Sequence, residues 1–105
     1  MKRVITSAKK LDTSKLENEI WAELGKYMTG PKGGFDDDEW KDYTRVEIKP
    51  SDDGRTEVQV RSEFLADFDD AIEVSEKLDK IIEKYDKDAY FDIEDAGIIV
   101  AYIER

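Results

Sequence analysis

The chain has 105 residues, with 27 acids against 17 bases, a net charge of −10, and neither cysteine nor histidine. Those two absences exclude disulfides, thiolate metal sites, cysteine nucleophiles and any Ser/His/Asp triad, and they remove the commonest general base. The longest apolar run, Gly97 to Ile103, is far short of a membrane span, and too few apolar residues follow the basic opening for a secretory signal. The length predicts one domain over residues 1–105, and the expectation is a soluble intracellular, cytoplasmic protein.

The charge is unevenly spread. The first ten residues carry Lys2, Arg3, Lys9 and Lys10 and no acid, a local +4, so the rest of the chain carries −14. Residues 1–10 are read as a basic arm or as an edge strand, since Val4, Ile5 and Thr6 favour extended backbone. Thr13 or Ser14 begins a helix, and Ser14 with Glu17 has capping-box spacing. Its buried stripe is Leu16, Ile20, Leu24, Tyr27 and Met28, with Trp21 on the flank. Gly30-Pro31 stops it.

Residues 29–42 (TGPKGGFDDDEWKD) form the longest predicted loop, and Asp36, Asp37, Asp38 and Glu39 follow one another in it. Phe35 and Trp40 flank the acids and are placed to pin the loop to the body. A loop this long in a small domain is functional or mobile. Residues 43–50 then alternate, with Thr44, Val46 and Ile48 on one face; Pro50 to Gly54 turn; and Thr56, Val58 and Val60 answer on a second strand.

Phe64 to Tyr85 is the strongest periodic signal. Asp67 caps a helix starting at Phe68, Asp69 and Asp70 suit its positive end, and the predicted stripe is Phe68, Ile72, Ser75, Leu78, Ile82 and Tyr85. Glu73 and Glu76 lie on its outer face without a local reason. Tyr90 to Glu94 alternates, Asp95-Ala-Gly97 turns, and Ile98 to Ile103 is apolar on both faces, which places it inside a sheet. The expected fold is α+β, in the order α-β-β-α-β-β. It is a four-stranded, mainly antiparallel sheet with both helices on one face and a candidate fifth strand from the N-terminal segment.

Chemistry is scarcer than charge. The acid run at 36–39 lacks the D-x-[DN]-x-[DN]-G spacing of a calcium loop, and Gly30 to Gly34 lacks phosphate-loop spacing. Asp53 and Glu57 sit on a hairpin as the acids of metal-dependent nucleases do, but Gln59 stands where the lysine belongs. No cofactor, metal site or catalytic residue is expected. A surface remains, with Asp36, Asp37, Asp38, Glu39 and Trp40 in the loop, Asp52 and Asp53 at the turn, and Glu73 and Glu76 on the second helix. An acidic body repels nucleic acid and steers toward basic partners.

In size, acid clusters, lack of Cys and His, and the opening MKRVITSAKKL, the chain resembles the small acidic anti-CRISPR and anti-restriction proteins of phages and other bacterial mobile elements. The resemblance implies a non-enzymatic inhibitor of a nuclease such as a CRISPR effector. Carboxylates on a rigid scaffold imitate a line of phosphates and occupy the partner's basic nucleic-acid site, without direct nucleic-acid or membrane binding. The alternative is a small regulatory or structural interaction domain, homodimeric through a strand edge.

Overall fold

The computed structural model describes residues 12–31, 33–36 and 38–104. The N-terminal arm or fifth strand and the side chain of Asp37 fall outside the described residues. The elements run α1 (Thr13–Thr29), a 3-10 turn (Glu39–Tyr43), β1 (Thr44–Pro50), β2 (Thr56–Ser62), a second 3-10 turn (Glu63–Leu65), α2 (Phe68–Ile82), β3 (Asp92–Asp95) and β4 (Ile98–Ile103). This is the α+β order read from the sequence. The strands pair in the order β1-β2-β4-β3, every pair antiparallel, and β4 is interior as its two apolar faces required.

One core joins both helices to one face of the sheet. Leu16, Ile20, Leu24 and Met28 of α1 and Val74, Leu78 and Ile82 of α2 pack on Val58, Val60, Ile99, Ala101 and Ile103. The helices are antiparallel and tied at both ends. The Tyr27 hydroxyl donates to Asp70 Oδ1 at 2.8 Å, which joins the end of α1 to the start of α2. At the other end Glu19 accepts from the Tyr85 hydroxyl at 2.8 Å and from Lys84 Nζ at 3.0 Å. The bonds from Tyr85 and Lys84 hold the Glu19 carboxyl below its usual range, while burial and the bond to Glu19 push the Tyr85 phenol up to about 12. No helix among the described residues is long and apolar enough to cross a membrane.

The sequence reading needs correcting at several helix positions. Asp12, not Ser14, caps α1, accepting from Lys15 N at 3.0 Å, and Glu17 is turned instead to the Trp21 indole. α2 ends at Ile82, so Tyr85 lies in the turn beyond it. Its buried face runs through Ala71, Val74, Ser75, Leu78, Ile81 and Ile82, while Phe68 is 64% exposed. Phe68 shares the angular position of Ser75 but is the first helical residue. Helical side chains lean toward the N-terminus, so its ring leans out past the end of the core.

Three ties position the turns. Gly97 has φ 77°, and a Cβ there would stand 2.7 Å from the Ser62 carbonyl oxygen. Gly54 has φ 88° with open space around it. Asp79 Oδ1, half-buried near the end of α2, accepts from Phe91 N at 2.7 Å and so fixes the approach to β3.

Replacing Gly54 by Ala therefore costs the backbone term alone, about 1 kcal/mol. Gly97→Ala adds a collision with backbone and costs at least about twice that; paired urea titrations check the ranking. Burial, opposed by the Phe91 bond, raises the Asp79 pKa. The folded state thus holds this proton more tightly than the unfolded chain, so ionised Asp79 costs stability at neutral pH and the cost fades as pH falls through its folded pKa. Asp79→Asn keeps an acceptor for Phe91 N–H and removes a negative charge from the C-terminal part of α2. It should stabilise the protein at pH 7 by about 0.5 kcal/mol, with the gain shrinking in acid in a pH series of thermal melts.

Candidate functional site

The loop between α1 and β1 is folded back on the body. Phe35 N donates to Met28 O at 2.8 Å, and the Phe35 ring meets Phe64 edge-on with centroids 4.6 Å apart. Tyr43 meets the same Phe64 ring at 5.7 Å. Below these rings runs a chain of hydroxyls. Thr44 Oγ1 donates to Trp40 O at 2.8 Å, so its lone pair takes the proton of Ser62 Oγ, also at 2.8 Å. Ser62 Oγ in turn accepts from Phe64 N at 3.2 Å. Each group polarises the next, and the end of the acidic loop is fastened to the first rung of the hairpin.

That fastening gathers a surface. The loop, the Glu63–Leu65 turn, the start of α2 and the end of α1 all meet at one end of the sheet. Asp36, Asp38, Glu39, Asp42, Glu63, Asp67 and Asp69 are exposed there and Asp70 is half-buried. Two aromatic rings stand among them, Tyr43 at 45% and Phe68 at 64% exposed. Lys41 pairs with Asp38 at 3.4 Å, and Arg45 and Arg61 line a hollow with Asp42, Tyr43 and Glu63, so the acids here outnumber the bases but are not without them. Asp42, Glu63, Tyr43 and Phe68 were not among the contact residues expected from the sequence, which placed Phe68 in the buried stripe. The signal for Phe68 was its place as first residue of a helix, where a periodic stripe overhangs its core.

The other predicted contacts separate from this group. Asp52 and Asp53 occupy the far end of the β1–β2 hairpin, and seven strand residues carry the chain about 20 Å. Asp53 is also engaged in its own turn, accepting from Arg55 Nε and Ser51 Oγ, each at 2.8 Å, and from Arg55 N at 3.2 Å. The Arg55 bond, with those from Ser51 and the backbone, holds the Asp53 carboxyl far below the usual range. Glu73 and Glu76 line a shallow groove of about 510 Å³ between α1 and α2, together with Glu23, Lys77, Lys80 and Lys84. The lysines offset the glutamates, so the groove adds little to the acidic end.

Trp40 is corrected outright as a contact residue. It is 1% exposed and packs against Trp21 with ring centroids 5.7 Å apart, so no partner reaches it. It pins the loop, the other role the sequence suggested for it. Its indole Nε1 is buried with no acceptor among the described residues, an expense of about 1–3 kcal/mol that its apolar burial must outweigh. Among the described residues no group of three or more His, Cys, Asp or Glu is arranged to hold a metal ion.

Comparison of the chain with protein-family models, with curated proteins and with solved structures gives no match.

Trp40→Ala should lower stability by about 3–5 kcal/mol, as expected for a deeply buried aromatic. Chemical denaturation checks this; a stability change under about 1 kcal/mol would return the residue to the surface.

Proposed function

We propose that this is a non-enzymatic acidic binding protein that occupies a basic nucleic-acid-binding site on a partner such as a CRISPR effector or another nuclease. One observation carries the reading. Asp36, Asp38 and Glu39 are gathered with the acids at the start of α2 and the exposed rings of Tyr43 and Phe68 by the Phe35 and Tyr43 contacts to Phe64, the Phe35–Met28 backbone bond and the Tyr27–Asp70 bond. Interfaces concentrate their energy in aromatic anchors rimmed by polar groups, and complementary charge supplies the encounter rate and the rejection of wrong partners. A carboxylate surface offers a basic groove the sign of charge it meets on phosphates. It binds there without releasing nucleic-acid counterions, and the complex still weakens with salt because the charges are exposed. The backbone hydrogen bonds and ring contacts that hold the loop pre-order these acids, which reduces the ordering cost of association.

Reversal of Asp36, Asp37 and Asp38 to Lys is the direct test, with Asp52→Lys as the far-end control. Binding to a panel of purified CRISPR effectors and restriction complexes, followed by titration calorimetry across a salt series, should fall about a hundredfold for the triple reversal and stay within about threefold for the control. A triple variant that folds and still binds its partner removes the loop from the contact; no complex with any such partner at low salt removes the reading.

A further inference from the structure

The two edges of the sheet are unlike. β3 is four residues long, carries a bulge at Ile93/Asp95, and exposes Asp92, Glu94 and Asp95, so a second strand finds a short, irregular, acidic template. β1 is seven residues long, pairs with β2 in unbroken register from Thr44↔Ser62 to Pro50↔Thr56, and turns no charge toward the core. Its far edge has no strand beside it among the described residues.

The groups on that edge can be named. Ser51 N donates to Arg55 O at 2.7 Å, continuing the ladder, so the bonded pairs with β2 are 49/57, 47/59 and 45/61. Val46 and Ile48 then turn N–H and C=O away from β2. Thr44 and Pro50 turn only carbonyls, because Thr44 N–H already bonds Lys41 O and proline has none.

We infer that this edge pairs with a second copy of the chain, antiparallel about a two-fold axis at Val46, with Arg45 of each copy opposite Glu47 of the other. The strand's own charges select that register. An axis at Glu47 would set Glu47 against Glu47 and Arg45 against Lys49, both like-charged. An axis at Ile48 would pair Glu47 with Lys49 but leave Arg45 facing a serine. With the axis at Val46, the two Arg45–Glu47 contacts fall at non-bonded positions, where facing side chains are closest. Arg45 already lies 3.8 Å from Glu47 within one strand, so the four groups close into a ring of alternating charge. Lys49 comes opposite Tyr43, and four backbone hydrogen bonds form from Val46 and Ile48. Val46 of both copies lies on the helix-covered face, so the sheet continues across the axis as eight strands.

The test uses the full chain and four sequences in sedimentation velocity at 0.15 M salt, with folding followed by circular dichroism. The parent protein should dimerise and slow the hydrogen exchange of Val46 and Ile48 amides as concentration rises. Glu47→Arg and Arg45→Glu should each weaken the dimer by about tenfold or more. The double exchange Arg45→Glu with Glu47→Arg should restore it, since each copy again meets opposite charge. A parent that stays monomeric at millimolar concentration overturns the inference. So does a dimer indifferent to both single reversals, or one that the double exchange fails to restore. If a reversal unfolds the chain, Glu47→Gln replaces it and must still weaken the dimer.

Discussion

Ser62 is the residue on which the other parts converge. Its N–H bonds Gly97 O at 2.9 Å, its carbonyl leaves room only for a glycine at position 97, and its hydroxyl joins Phe64 N to Thr44 and onward to Trp40. A single position thus couples β1, β2, the β3–β4 turn, the approach to α2 and the acidic loop. Its side chain is small enough to be buried among apolar neighbours, and each hydroxyl bond offsets part of the desolvation that burial imposes. Because the network is fully paired, it specifies geometry as well as adding stability. Loss of one member would leave the others buried and unsatisfied.

The acid-rich composition dissolves, on this fold, into separate local tasks. Asp12 and Asp67 accept from the first free N–H groups of their helices. Asp86 accepts from Asp88 N and Glu104 N, Asp95 from Ala96 N, and Asp53 from Arg55 N. Short aspartate side chains reach backbone one to three residues away, which is why turns and caps favour them. Glu19 and Asp70 fasten the helix pair, and Asp79 fastens α2 to the segment before β3. Net charge alone therefore overstates how much of the surface is free to attract a partner. Asp36 makes no hydrogen bond or ion pair among the described residues, and that sets it apart from most of the other aspartates.

Periodicity carried the fold because burial enforces it. The alternation of Val46/Ile48 against Arg45/Glu47 and the doubly apolar run of β4 follow from which faces meet water, and they gave the strand count, the hairpins and the interior place of β4. Helix ends were less legible. Capping depends on which of several adjacent polar residues takes extended dihedrals, so Asp12 was missed beside Ser14. Phe68 was misplaced because a stripe predicts a direction around the helix but not how far the rest of the core extends along it. Trp40 has no period to follow, since it sits in a single 3-10 turn. The Thr44–Ser62 contact spans 18 residues and exists only after the hairpin register is set, so no local pattern announces it. The same limit applied to the acid groups. Spacing along the chain did not reveal that the hairpin carries Asp52 away from the loop while α2 brings Asp67 and Asp69 toward it.

The two ends of the molecule consequently differ in more than charge. At the hairpin turn the guanidinium of Arg55 lies 2.6 Å from Asp53 and over the Tyr102 ring at 4.4 Å, so base, acid and aromatic are satisfied by one another. At the opposite end Phe35 and Tyr43 meet Phe64 edge-on and Phe68 projects, while acids outnumber the bases near them. A cation arriving at Asp53 must displace a partner already in place. At the second end it meets an excess of acids over bases and exposed ring surface together, on a loop held by backbone and ring contacts. The sheet edge follows a similar logic with opposite means: β3 repels a neighbour through three acids and a bulge, while β1 alternates its signs, so only a strand of matching alternation, its own sequence included, meets it without repulsion.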